Sequence, residues 1–264
     1  MNRTRDIPAP ARHTASMSLV PSQIERYARH ITLREIGGPG QNALLASSVA
    51  IVGAGGLGGP AGLYLAAAGV GRITIIDDDV VEASNLQRQV QFIHTDIGAG
   101  KAQVMADTLE DLNPDSRVTH QPVRLHEANA TALLRDHDVI LDGTDSFATR
   151  FTINATSRAL GIPLVSAALG RFDMQLGVFN AGSDAPCYRC FVSAPPNIAD
   201  DCATHGVLGA LAGMAGSMMA MEAVKLITGA GEPLSGRLFL YDGLRAAGRT
   251  ITLSRDLGCA LCGD

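Results

Sequence analysis

Four of the five cysteines stand in two short pairs, Cys187-Tyr188-Arg189-Cys190 and Cys259-Ala260-Leu261-Cys262. Two such C-x-x-C knuckles offer four thiolates at the spacing tetrahedral zinc requires, and an all-sulfur ligand set closes the coordination sphere, so this zinc is expected to be structural. No secretory signal precedes them, which disfavours a disulfide framework, and a redox pair explains only one knuckle of the two. A second concentration of chemistry lies earlier. The apolar run Val49-Ala50-Ile51-Val52 enters Gly53-Ala54-Gly55-Gly56-Leu57-Gly58, in which glycines 53, 55 and 58 fit the dinucleotide fingerprint. They permit a tight turn, let backbone N–H groups approach a phosphate and let the next helix pack closely. Asp77 closes the following apolar run, about 20 residues on, where a carboxylate accepts from ribose hydroxyls. Then comes Ser84-Asn85-Leu86-Gln87-Arg88, a polar run that an ordinary dinucleotide-binding half does not need.

Further residues admit two readings each. Asp145, in Asp142-Gly143-Thr144-Asp145, follows an apolar strand and so lies along the crevice where ligands bind. It is either a ligand for phosphate-bound Mg²⁺ or the N-cap of the helix that starts near Ser146. Lys101, after Gly98-Ala99-Gly100, opens a helix, where a cation opposes the dipole; it is a solvated lysine or the partner of an anion bound at that helix start. Cys202 is unpaired, in a polar loop with Asp200, Asp201, Thr204 and His205. It is an incidental thiol, or a nucleophile or sulfur carrier that reaches a bound acyl group. Arg29 by itself reads as a surface charge on an opening helix.

These residues need elements to position them. A helix is expected over 22–34, then alternating strands and helices: strand 49–52, helix from 58 to about 68, strand 72–77, helix 101–112, extended chain 116–123, helix 129–135, strand 138–142, helix 146–160 and strand 162–167. The pattern is α/β, a doubly wound Rossmann-like sheet with a parallel core. From Gly170 on, the alternation in 172–179, 237–241 and 249–253 reads as antiparallel strands extending that sheet. The loop from Pro195 through Cys202 to His205 is expected to be a mobile crossover. There is no internal repeat, and no linker marks a second domain.

Composition narrows the classes. With 264 residues, 46% of them hydrophobic and 18% charged, the chain can bury a substantial core. Its net charge of −5 argues against a nucleic-acid partner. Residues 1–19 carry arginines and prolines without an apolar core, so they read as a flexible tail and not as a signal peptide. The longest apolar stretch, 206–221, is shorter than a bilayer requires and is followed by Glu222 and Lys225, so it reads as a buried helix with small residues for close packing, against another subunit or within the chain. No membrane span and a cytoplasmic location are expected.

In combination and order, Arg26-Tyr27-Ala28-Arg29-His30, the 53–58 glycine turn, Asp77-Asp78-Asp79, Ser84-Asn85-Leu86-Gln87-Arg88-Gln89, Lys101, Thr144-Asp145 and both cysteine knuckles resemble the MoeB/ThiF/HesA adenylyltransferases, bacterial relatives of the ubiquitin-activating enzymes. The resemblance covers residues 20–264 as a single adenylation domain. It implies an enzyme that uses MgATP to adenylate the C-terminal glycine carboxylate of a ubiquitin-like sulfur carrier (MoaD- or ThiS-like, ending in Gly-Gly), with release of pyrophosphate. By position it implies a nucleotide site of Gly53, Gly55, Gly56, Gly58, Asp77, Asp79, Ser84, Asn85, Arg88, Lys101, Thr144, Asp145 and Ser146. Within this set Asp77 holds the ribose, Asn85, Arg88 and Lys101 contact the phosphates, and Asp145 binds Mg²⁺. Arg29 would cross a homodimer to the partner's site, and Cys202 aligns with a loop cysteine that takes a persulfide or acyl link in some relatives. Ser146 departs from the Asn common in MoeB-like members. With two residues after Cys262, the sulfur is expected from a separate donor, a rhodanese or a cysteine desulfurase. Two readings from other classes are a nicotinamide-dependent oxidoreductase built on the glycine turn and Asp77, and a scaffold that binds a carrier without activating it.

Overall fold

A computed structural model describes residues 18–194 and 206–263. Cys202, the rest of its loop and nearly all of the expected 1–19 tail lie outside the described residues. At the centre is β1 (Ser48–Val52), whose five residues are all buried. It lies between β2 (Arg72–Ile76) and β4 (Val139–Asp142), and is parallel to both. With β3 (Arg117–Gln121) and β5 (Leu164–Leu169) on the flanks, the parallel part runs β3-β2-β1-β4-β5. That is the doubly wound order, in which the direction of winding reverses between β1 and β4 and opens a crevice at the strand C-termini. The antiparallel strands β6 (Asp173–Phe179), β7 (Arg237–Asp242) and β8 (Ala247–Thr252) extend it to eight, as the alternation beyond Gly170 predicts.

Side chains leave a strand on alternate faces, and the core divides accordingly. Val49, Ile51, Ile73, Ile75, Val139 and Leu141 face one apolar layer together with α4 (Gly58–Ala67), α5 (Lys101–Leu112) and α9 (Gly209–Thr228). Ala50, Val52, Ile76 and Ile140 face the other, against α6 (Glu127–Leu134) and α7 (Phe147–Leu160). Burial on both faces is why these strands are nearly all apolar.

The N-terminal segment and the long apolar stretch differ from expectation. In place of one helix over 22–34 there are two short ones, α1 (Pro21–Arg26) and α2 (Ala28–Ile31), broken at Tyr27. Tyr27 is 2% exposed; its hydroxyl donates to Asp115 Oδ2 at 2.9 Å and accepts from Asn113 Nδ2 at 2.9 Å. This anchor draws the backbone out of helical geometry. An unforeseen helix, α3 (Gly37–Ala46), follows, with Pro39 in its first turn, where a missing N–H costs nothing. The apolar stretch is the front of the 20-residue α9, which is long and apolar enough to cross a membrane by length and composition alone. Ala212, Ala215, Gly216 and Ala223 are buried in the apolar layer and α9 packs on α3, α4, β5 and β6, so its small residues serve close packing within the chain.

Candidate functional site

Three strand ends converge at the crevice. After β1, Gly53 takes φ +93, and a Cβ there would sit 3.0 Å from the Gly143 carbonyl carbon and oxygen. A Cβ on Gly58 would overlap the Gly53 carbonyl oxygen. Only glycines let the β1 turn close on itself and touch the β4 turn, which places the first turn of α4 and its free N–H groups at the crevice. Asp77 braces this turn from β2: its Oδ2 accepts from Ala54 N at 2.7 Å and its Oδ1 from Asp79 N at 2.8 Å. Burial raises its pKa against the opposing effect of those two N–H donors, and a carboxylate with spare lone pairs at this strand end is suited to ribose hydroxyls. Gln91, which sequence reasoning missed, holds the turn from the other side. Its Nε2 donates to Ala54 O at 2.7 Å and to Gly55 O at 3.3 Å. The signal was a glutamine close behind the polar run, buried at 5% exposure.

Lys101 is no solvated lysine. It is 7% exposed at the start of α5, with Nζ 2.9 Å from Asp79 Oδ2. A lysine whose stem is packed and whose head reaches the crevice on a half-exposed carboxylate can exchange that partner for an incoming phosphate. Asn85 is buried, its Oδ1 accepting from Glu82 N at 3.2 Å, whereas Ser84 is exposed. Arg88 Nη1 donates to Ser84 O at 3.0 Å, and the Arg88 backbone and Cγ lie over Gly56, beside Ala212 of α9. The segment 84–91 thus lies across the glycine turn, with cations on both sides of it.

The β4 turn separates its two aspartates by role. Asp142 is 1% exposed and fully engaged: Oδ1 accepts from Thr144 N at 3.1 Å and from Thr144 Oγ1 at 2.7 Å, Oδ2 accepts from Ser166 Oγ at 2.8 Å, and Arg150 Nη1 lies 4.0 Å from Oδ2. Arg150 also donates to the Thr144 carbonyl. Burial opposes the charge of Arg150, but Asp142 outweighs it and the pKa is raised. Asp145 is exposed at the crevice, and the cap of α7 is Ser146, whose Oγ accepts from Thr149 N at 3.4 Å. The capping role weighed for Asp145 therefore falls to its neighbour, and the donor set of this turn fits one divalent cation on Asp145. Arg150 was also missed, although Phe147, Arg150, Phe151 and Asn154 form one helical stripe and a charge within it signals a buried partner.

The four knuckle cysteines come together as their spacing predicts. Sγ separations are 3.9 Å for Cys187–Cys190, 3.6 Å for Cys187–Cys259 and 3.4 Å for Cys190–Cys262, and none is in a disulfide. A tetrahedron of zinc–sulfur bonds has edges of about 3.8 Å, so the sulfurs already outline one. The Asp256 backbone N–H donates to Cys190 Sγ at 3.4 Å, as an N–H does toward a thiolate. Burial pushes the Cys187 thiol up to about 12, whereas Cys259, despite some burial, is pulled down to about 7 by the N–H groups of Cys262 and Leu261. The donor set fits a divalent metal that deprotonates thiols, and the cluster ties the chain's end to α8 (Tyr188–Phe191).

Arg29 is not in this crevice. It sits exposed on α2, which packs on α3; His30 Nδ1 is 3.1 Å from Gln41 Oε1, and Gln41 Nε2 donates to Ala68 O at the far end of α4. That is the opposite edge of the sheet. The length of α5 alone, from Lys101 at the crevice to Asn113 under Tyr27, is about 18 Å.

The ThiF family model matches residues 27–261. Among relatives, the chain is 44% identical to a Thermus thermophilus protein named sulfur carrier protein adenylyltransferase, over 94% of both chains. It is 45% identical to the SAMP-activating enzyme E1 of Haloferax volcanii, over 94% of this chain and 92% of that one. A Mycobacterium tuberculosis protein named probable adenylyltransferase/sulfurtransferase MoeZ is 45% identical over 90% of this chain, which spans 62% of that protein. In fold the chain is similar to crystal structures of Escherichia coli MccB (TM-score 0.81, 22% identity, 91% of this chain and 75% of that one) and of PaaA (TM-score 0.78, 24% identity, 92% and 78%). On the breadth of the family match and the identity to these relatives, this chain belongs to the ThiF family.

Proposed function

We propose that the protein is an ATP-dependent adenylyltransferase that activates the C-terminal glycine carboxylate of a ubiquitin-like sulfur carrier. The observation that carries this reading is the 44% identity, end to end, to a sulfur carrier protein adenylyltransferase, in a chain whose crevice has the cations that reaction needs. A carrier carboxylate oxygen attacks the α-phosphorus of ATP, the bond to the bridging β-oxygen breaks, and pyrophosphate leaves with that electron pair. Negative charge grows on the phosphorus oxygens and the leaving group, so catalysis requires positioning and cations more than a protein nucleophile. The 53–58 turn and Asn85 hold the nucleotide, Asp77 the ribose, and Lys101 and Arg88 the phosphates. Asp145 would hold Mg²⁺, which when bound neutralises phosphate charge. Arg29, being on the opposite edge, would serve the site of the second protomer in a homodimer. The four cysteines would hold a structural zinc, and their free thiols suit a reducing cytoplasm. Cys202 would act after activation, with sulfur from a separate donor. A nicotinamide oxidoreductase leaves Lys101, Asp145 and the sulfur cluster without a task.

ATP–pyrophosphate exchange against a panel of Gly-Gly-ended carriers tests this. Exchange is expected with a cognate carrier and not with the same carrier lacking its terminal glycines. Exchange with none, in protein proven to bind MgATP, would make the acid substrate something other than a carrier tail.

A further inference from the structure

The cysteine cluster and the nucleotide crevice look independent along the sequence, but one side chain joins them. Tyr188 lies between the first two ligating cysteines, is 3% exposed, and packs edge-on against Phe151, Phe179 and Phe191, with centroids 5.8, 5.4 and 6.3 Å away. Its backbone N–H donates to Asn154 Oδ1 at 2.8 Å, so the knuckle is fixed on α7. Its hydroxyl is hydrogen-bonded to the Arg150 guanidinium. Arg150 in turn donates to the Thr144 carbonyl and faces the Asp142 carboxylate, which holds the Thr144 N–H and hydroxyl. The next residue is Asp145. A guanidinium is a rigid planar fork, so where its phenol partner sits determines where the Thr144 carbonyl can sit.

We propose that Arg150 is a positioning residue for the 142–145 turn and that Tyr188 couples it to the cysteine knuckle, so that metal in the four-sulfur site tightens binding of magnesium nucleotide at the other. This rests on the adenylyltransferase reading above. Pulling Cys187 and Cys190 onto a common ion fixes the short helix that holds Tyr188, and with it the register of Arg150 against the turn. Coupling between two sites is a free energy that a broken link removes, so it is measured by a cycle.

The experiment is calorimetric titration of MgATP into the full-length protein, as isolated and after chelator treatment, with metal content measured for each sample. In the wild type, stripping the metal is expected to weaken MgATP binding about tenfold, within the range of ordinary coupling. Tyr188→Phe keeps the ring packing and removes only the link. It is expected to retain its metal, to bind MgATP about tenfold more weakly when loaded, and to lose less than about twofold more on stripping. Arg150→Lys keeps a charge beside Asp142 without the fork and is expected to behave alike. Equal losses on stripping in wild type and Tyr188→Phe, or wild-type affinity in loaded Tyr188→Phe, would overturn the coupling while leaving the adenylyltransferase reading intact. Loaded wild type that binds no MgATP would overturn both.

Discussion

Asp142 and Asp145 are three residues apart on one turn and have opposite occupations. Asp142 is consumed by Thr144, Ser166 and Arg150 inside the protein, whereas Asp145 faces the crevice. Substitution should therefore split activity from stability. Asp145→Ala is expected to lower pyrophosphate exchange by about 10²–10³, the scale of losing one charge-stabilising group, and to leave unfolding by urea within about 0.5 kcal/mol of wild type, as for exposed positions generally. Asp142→Ala leaves Arg150 buried without its counter-charge, which costs about 3–5 kcal/mol. Comparable exchange in Asp145→Ala and wild type would remove the magnesium role from Asp145. Urea titrations of both variants, beside the exchange assay, decide the matter.

The elements were legible where local pattern and tertiary demand agree. The parallel strands show in the sequence because burial on both faces requires unbroken apolar runs, and the antiparallel extension shows because its strands alternate. The glycine turn, Asp77, the 84–88 run and both knuckles were legible for a related reason, since their spacing is itself the chemistry. What stayed hidden depends on distant partners. Gln91 and Arg150 act through carbonyls that no local pattern announces, and the break between α1 and α2 comes from Tyr27 reaching residues 86 and 88 positions away. That break can be tested. Tyr27→Phe is expected to cost about 1 kcal/mol at pH 7, the net worth of a buried hydrogen bond. Burial, together with the bond to Asp115, raises the Tyr27 hydroxyl to about 12, so the neutral phenol is the stabilising form. Its contribution is complete below the unfolded value of about 10 and is lost as pH rises from there through about 12, so the gap between the variant and wild type should narrow over that window. A gap that is flat across it in urea titrations would mean that the hydroxyl contributes nothing to holding the segment.

At the scale of the molecule, the sheet has a nucleotide edge and an opposite edge, and Arg29 is on the wrong one for its own crevice. No rotamer spans the length of α5, so if Arg29 acts in catalysis it acts on another copy. A symmetric pair of chains exchanges the same contact in both directions, so each active site is assembled from two protomers and two different inactive mutants can repair each other. Arg29→Ala and Asp145→Ala are each expected to be inactive alone. After mixing in equal amounts and allowing the subunits to exchange, half of the dimers are mixed. Each mixed dimer has one site with both defects and one site with none, so exchange activity should recover to about a quarter of wild type. The recovery must follow subunit exchange in time, with the slow kinetics of dissociation, and two preparations of the same variant mixed together must give none. If Arg29 works within its own chain, every site in a mixed dimer has one defect, and the mixture remains as inactive as its components. Zero recovery with subunit exchange demonstrated by mass would therefore remove Arg29 from the reaction in trans, and normal activity of Arg29→Ala alone would remove it from the reaction altogether.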